Sequence, residues 1–342
     1  MDVKQVGREL GVRYLLEGSV RKAGNKVRIT GQLVDAVTGA HLWAERFDGE
    51  LEDIFDLQDR VTASVVAAIS PKLEQAEIER ARRKPTESLD AYDYFLRGMA
   101  EFHQWTRASN NEALRLFQRA MELDPNFAAA YAMAARSYSQ RKSGGWTTDR
   151  AYEVAETARL ARRAGELGRD DASALCSAGA ALAFVVGDLD GAVVYIDSAL
   201  ALNPNLAWAW LSSALVRVWL GESSVAIEHA NRAMRLSPQD AQVFVMQFAI
   251  GLAHFFAGRF SEALAWAEMA GRAQPDHAPS IALVAASGAL VDNRSATGGA
   301  IVRLRQLMPG LRASVLKDFV PIRRPEHFSL WADGLRKAGL PE

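Results

Sequence analysis

A spacing of small residues and a proline recurs along the chain and constrains its fold more than any other feature. Each copy has an alanine, an apolar residue four positions later, a second alanine after three more and a proline after a further five. Copies begin at Ala113, Ala192, Ala226 and Ala263, with a degenerate copy at Thr297. Pro204 and Pro238 are 34 residues apart. A period of about 20–50 residues indicates a stack of repeated structural units.

The small residues have a physical role in such a stack. Side chains of alanine size let two antiparallel helices approach closely, and the proline ends the second helix of each unit. A further copy fits at Thr157, Ala161 and Ala164, with Arg169 in the proline position. The stretch SGGWTTDR before it has the composition of a loop.

This spacing resembles the tetratricopeptide repeat, a helix–turn–helix unit of about 34 residues. The resemblance covers residues 90–310 and implies a mainly α fold, a TPR-type α-solenoid of about six antiparallel helix pairs. In residues 311–342, the stretch RRPEHFSLWADGLRKAGL predicts a capping helix. Phe328, Trp331 and Leu335 would form its apolar face, because a solenoid needs an element that covers its last apolar surface.

Residues 1–84 have a different pattern, with strands followed by a helix. The stretch KVRITGQLVD alternates apolar and polar residues with the period of a half-buried strand. The segment GSVRKAGNKVRI has glycines and lysines, as a phosphate-binding loop would. However, Asn25 follows Gly24 where that loop needs lysine, and a strand pattern follows instead of a helix. We therefore predict a hairpin turn here and a second turn at Gly39.

From Leu51 the apolar spacing becomes helical. Asp48 is predicted as the N-cap of this helix, and Pro71 is predicted to bend or interrupt it. Asp53, Asp56 and Asp59 would spread around the helix surface, so we expect a solvated face and not a carboxylate cluster.

The stretch from Arg8 to Val61, RELGVRYLLEGSVRKAGNKVRITGQLVDAVTGAHLWAERFDGELEDIFDLQDRV, is similar to the second half of a TolB amino-terminal-like domain. The resemblance implies that residues 1–84 form a small, incomplete α/β domain with a trailing helix. Such domains usually begin with an additional strand and helix upstream of the part matched here. An incomplete sheet would have an exposed edge.

From Val3 to its last residue the chain resembles the carboxyl-terminal region of rhizobial-type class III adenylate/guanylate cyclases, without the catalytic domain. The resemblance implies a regulatory part of a cyclic-nucleotide signalling protein. Two alternatives are the regulatory half of a CadC-like winged-helix transcription regulator and a fragment named after the cyclase activity of its parent.

The composition excludes several classes of function. The formal net charge is −1, whereas a nucleic-acid-binding protein normally has a strong basic excess. The single cysteine, Cys176, lies in an apolar helical run and is predicted to be a buried structural thiol. The six histidines are scattered. We therefore expect no catalytic residue, metal or cofactor. Because no apolar stretch approaches the roughly 18 residues of a membrane span, we expect a cytoplasmic protein.

The predicted working surface is the inner groove of the solenoid, formed by the first helix of each repeat. The resemblance places these residues in it: Arg136, Ser139, Trp208, Leu211, Leu215, Val218, Gln242, Val245 and Leu252. These side chains are more apolar than a groove for acidic peptide termini, and they favour an amphipathic helix or an extended apolar segment. Two interpretations stay open: docking of a partner protein, or packing against a neighbouring domain or a second copy of the chain.

Overall fold

A computed structural model of the protein describes residues 2–83, 89–238, 240 and 242–342. The chain forms two compact units. One contains residues 2–83 and 236–238, and the other is helical and contains residues 89–235, 240 and 242–342. No helix among the described residues combines the length and the apolar character needed to cross a bilayer.

The first unit consists of two helices and an antiparallel sheet with strand order β1-β2-β3. Its elements are α1 (Val3–Leu10), β1 (Tyr14–Ala23), β2 (Lys26–Asp35), β3 (His41–Glu50), a 3-10 turn (Leu51–Asp53) and α2 (Ile54–Arg83). Gly24 and Gly39 have φ angles of 61° and 78°, which the two tight turns require. The segment GSVRKAGNKVRI is therefore a hairpin, as predicted, and not a phosphate-binding loop.

One prediction for the following helix is wrong, and a second is wrong in part. Asp48 lies in β3 and pairs with Arg28 of β2, at 2.6 Å between carboxylate and guanidinium, so it caps no helix. An acidic residue suits a cross-strand ion pair as well as an N-cap. Helix α2 is not interrupted at Pro71, because the loss of one backbone hydrogen bond does not end a helix of 30 residues.

The predicted solvated face of this helix involves residues that the structure describes only in part. Asp53 lies in the 3-10 turn and is exposed. The side chains of Asp56 and Asp59 lie outside the described residues.

The described residues between 91 and 307 form six helix pairs joined by short turns. The pairs are α3 (Ala91–Phe102) with α4 (Arg107–Leu123), α5 (Ala128–Ser143) with α6 (Arg150–Leu167), α7 (Ala172–Ala181) with α8 (Leu189–Leu202), α9 (Ala207–Leu220) with α10 (Ser223–Leu236), α11 (Val243–Phe256) with α12 (Phe260–Ala273), and α13 (Ala278–Leu290) with α14 (Arg294–Leu307). A π-helical turn, Leu182–Val186, continues α7. First helices also pack on one another, so that α7 lies between α5 and α9.

The repeated small residues lie where each second helix meets its neighbours. Ala226, Ala230 and Ala233 on α10 are fully buried, and so are the equivalent alanines on α12. Close approach is visible at Gly98 of α3, where an added Cβ would lie 2.6 Å from Cε1 of Phe117 on α4. The inference that small residues bring the helices together is confirmed.

The last part of the chain contacts helices of earlier repeats as well as the last helix pair, which a capping helix alone would not do. Helix α16 (Pro325–Lys337) packs on α13, and its Trp331 meets the ring of Phe255 on α11, with 5.6 Å between ring centres. Before it, residues 311–324 include a 3-10 turn (Ala313–Val315) and α15 (Leu316–Phe319). We call residues 311–324 the carboxyl-terminal segment. It extends back to α9, where the Arg323 N–H donates to the Trp219 carbonyl over 2.9 Å.

Candidate partner-binding surface

The predicted groove residues lie on three first helices, and their burial divides them into two groups. Leu211, Val218 and Leu252 are at most 1% exposed and belong to the interior of the chain. The remaining six are partly exposed: Arg136 and Ser139 on α5, Trp208 and Leu215 on α9, and Gln242 and Val245 at the start of α11. We call these six positions the Trp208 surface. The three buried leucine and valine side chains cannot contact a partner, because the solenoid's own packing covers them.

Arg136 and Trp208 are in direct contact although they lie two repeats apart. The guanidinium carbon of Arg136 is 3.9 Å from the centre of the Trp208 ring and 5.3 Å from the centre of the Phe102 ring. A guanidinium over an aromatic face is attracted by the negative face of the ring. The contact therefore connects α5 to α9 past the intervening helix α7.

Trp208 also packs against two separate parts of the core. One is the cluster around Leu211, Met246 and Ile250, and the other is the cluster around Leu175 and Cys176. The indole Nε1 is buried and has no hydrogen-bond partner among the described residues. The exposed part of Trp208 is thus fixed in position by the core beneath it, as are Leu215 and Val245, which pack on the first of these clusters.

The single cysteine lies directly under this surface. Cys176 on α7 is fully buried, and its thiol donates to the Ser212 hydroxyl over 3.4 Å. Burial raises the pKa of the Cys176 thiol to about 12, so the thiolate does not form near neutral pH. The prediction of a buried thiol is confirmed.

His229 and His277 are held by contacts within the helical unit. His229 lies edge-on against Trp210, with 4.8 Å between ring centres, and its Nδ1 is 2.9 Å from the Ser213 hydroxyl. Burial lowers the pKa of His229 and also that of His277, which falls to about 4. Within the described part of the chain, no three histidine, cysteine, aspartate or glutamate side chains are grouped as a metal site would require.

A cleft in the helical unit was not predicted from the sequence. A cleft of about 230 Å³ lies between the end of α5, the π-helical turn and the carboxyl-terminal segment, and four of its lining residues are basic. These residues come from distant parts of the chain, so no local motif marks them. Within the cleft lining, the sequence feature that stands out is the apolar run LAFVV, which is followed by Gly187.

Comparisons with known proteins relate the chain to a cyclase-named protein over part of its length. No family model matches. The "Putative adenylate cyclase 3" of Rhizobium meliloti (strain 1021) is 48% identical over 131 residues, which are 38% of this chain and 22% of the relative. The match thus spans less than a quarter of the relative's length.

Solved structures resemble the chain in fold. A chain of the APC/C hetero-tetramer Cut9–Hcn1 matches with a TM-score of 0.55 and 15% identity, over 84% of this chain and 49% of that one. PilW, a widely conserved type IV pilus biogenesis factor, has a TM-score of 0.48 and 17% identity, over 66% of this chain and 98% of its own. Together with the six helix pairs, the first of these likenesses assigns the fold: the helical unit is a TPR-type α-solenoid.

Proposed function

We propose that this chain is a non-catalytic protein-interaction module and that its docking site is the Trp208 surface. The observation that carries the proposal is the Arg136–Trp208 contact, which holds a partly exposed indole against a cation at 3.9 Å. Aromatic and arginine side chains dominate the energy of protein interfaces. A rigidly held pair of this kind loses little conformational entropy when a partner docks.

We propose that the partner is an apolar protein segment, either an amphipathic helix or an extended strand of chain. Leu215 and Val245 offer apolar contacts, whereas Gln242 can donate and accept hydrogen bonds at the edge of the surface. In this proposal the segment belongs to the same signalling protein or to a second copy of it, and neither nucleic acid nor a membrane takes part.

The cyclase-named relative supports a cyclic-nucleotide signalling protein as the setting, in the cytoplasm, in preference to a winged-helix regulator. In this setting residues 1–84 are a partial TolB amino-terminal-like domain, and the helical unit senses or positions a partner domain. We propose that cyclase chemistry takes place outside this chain. The buried Cys176 thiol supports the non-catalytic assignment, because its raised pKa removes a candidate nucleophile.

The test uses the remainder of the Rhizobium meliloti relative, expressed without the matched 131 residues, as an immobilised probe. The wild-type chain should be captured reversibly. Gln242→Arg places a bulky charge on the docking surface without opening the core, and it should weaken capture about tenfold or more. Gln118→Arg, on the exposed side of α4, is the matched control and should bind like the wild type.

Two results would contradict the proposal. Equal capture of Gln242→Arg and the wild type would reject the Trp208 surface as the docking site. Conversion of ATP to cyclic AMP by the purified chain would reject the non-catalytic assignment.

A further inference from the structure

The cleft beside the π-helical turn has an unusual set of charges. Its lining contains Lys142 from α5, Arg150 at the start of α6, and Lys317 and Arg323 from the carboxyl-terminal segment. The two arginines are paired, Arg150 with Asp318 at 2.5 Å and Arg323 with Asp190 through two hydrogen bonds of 2.8 Å. The carboxylate of nearby Asp188 accepts the Gly191 N–H at the start of α8.

The two lysines have no such partners. Among the described residues, neither Lys142 nor Lys317 forms an ion pair, and each ammonium instead lies near an aromatic ring. The distances from Nζ to the ring centre are 4.6 Å for Lys142 with Phe184 and 5.4 Å for Lys317 with Phe328. The cleft therefore has two positive charges that no carboxylate balances directly.

Lys142 is the more constrained of the two lysines. Its ammonium donates one hydrogen bond, to the Phe184 carbonyl over 2.5 Å, although an ammonium has three protons to donate. Burial, and then the charge of Arg150, lower the pKa of Lys142 to about 8, while Asp318 acts in the opposite direction. An anion next to this ammonium would offset the cost of burying its charge.

The backbone of the cleft is irregular at the same place. Leu182–Val186 form a π-helical turn, and Gly187 ends it with a φ of 83°. Here the turn supplies the carbonyl that binds Lys142, and it also supplies Phe184, Val185 and Val186 to the wall of the cleft.

We propose that this cleft binds a small phosphate monoester, with Lys142 and Lys317 as the ligands of the phosphate group. A phosphate monoester carries about −1.5 to −2 charges at pH 7, which matches the two unpaired ammonium groups. The cleft has a volume of about 230 Å³. This leaves room for a short organic body against Phe184, Val186 and Ile322. The site shares no residue with the Trp208 surface, so the two proposals are independent.

The test is isothermal titration of the full chain with phenyl phosphate at constant ionic strength, with inorganic phosphate and phenol as comparison probes. We expect saturable binding of one phenyl phosphate per chain, weaker binding of inorganic phosphate and none of phenol. Lys142→Met and Lys317→Met should each weaken phenyl phosphate binding about tenfold or more, because each removes a charge-assisted hydrogen bond. Lys337→Met is the control, since this lysine pairs with Asp292 on another surface, and it should bind normally.

Lys317 is exposed, so its replacement keeps the test decisive if Lys142→Met does not fold. Absence of saturable binding by the wild type would overturn the proposal, as would unchanged affinity in Lys317→Met. Inorganic phosphate that binds as tightly as phenyl phosphate would overturn the assignment of an organic monoester.

Discussion

The guanidinium of Arg136 on α5 stacks on the ring of Trp208 on α9, with 3.9 Å between the guanidinium carbon and the ring centre. These residues belong to the second and fourth helix pairs, so the contact spans the first helix of the third pair. Trp208 also packs on two clusters of the core, so this contact is anchored in the interior of the helical unit.

The first prediction is that Trp208→Ala destabilises the helical unit. Removal of the indole takes packing from two core clusters and should lower the free energy of unfolding by about 3 kcal/mol. Urea unfolding followed by circular dichroism measures the change. Val194→Ala is the control, because Val194 is 62% exposed on α8, and it should shift stability by no more than about 0.5 kcal/mol. Similar values for both variants would show that Trp208 is a surface residue only.

The second prediction concerns the close packing of α3 on α4 and compares alanine substitutions at two glycines. Gly98→Ala would put a Cβ 2.6 Å from the buried ring of Phe117 and should cost about 1–3 kcal/mol. Gly298→Ala, in the open on α14, should instead stabilise the chain by about 0.5–1 kcal/mol, because alanine favours the helix. Thermal melting of the two variants compares these effects. A stabilising Gly98→Ala would disprove the close packing of α3 on α4.

The third prediction concerns the pH dependence of stability. His277 precedes α13, its Nδ1 is 2.7 Å from the Ser280 hydroxyl, and the rings of Phe244 and Phe248 lie against it. Burial lowers the pKa of His277 from 6.5 to about 4, so between these values the unfolded chain binds a proton that the folded chain does not. The free energy of unfolding should therefore fall as the pH is lowered through this range, by at most about 1.4 kcal/mol per pH unit from this group.

His277→Gln removes this contribution, so its stability should depend less steeply on pH between 7 and about 4.5. Burial also lowers the pKa of His229, His254 and His327, which act in the same direction and keep part of the slope in the variant. Urea unfolding of both proteins across the range measures the difference. Parallel curves would mean that His277 is protonated as readily in the folded chain as in the unfolded one.

The fourth prediction is that Cys176 is unreactive in the native chain. The thiol is fully buried and its pKa is raised to about 12, so iodoacetamide at pH 8 should leave it unmodified until the chain unfolds. Intact-mass measurement with and without urea follows the modification. Rapid alkylation of the folded protein would contradict both the burial of α7 and the structural role of this residue.

The sequence by itself determined the local architecture of the chain. The spacing of Ala226, Ala230 and Ala233 shows which helix face is buried, because only small residues allow so close an approach. Glycines in hairpin turns are equally informative, since the left-handed backbone at Gly24 excludes most other residues. Both signals depend on neighbours within a few residues, so they are visible in the sequence.

Only the tertiary structure decided which positions on those helices remain accessible and where distant segments meet. Leu211, Val218 and Leu252 occupy predicted groove positions but are covered by the chain's own packing. The return of the carboxyl-terminal segment to α9, and the cleft that it forms with Lys142, depend on contacts between residues far apart in the chain. The burial of a side chain and the electrostatic interactions of a charge depend on all such neighbours in space. The helical period of a sequence reports only which face of one helix is apolar.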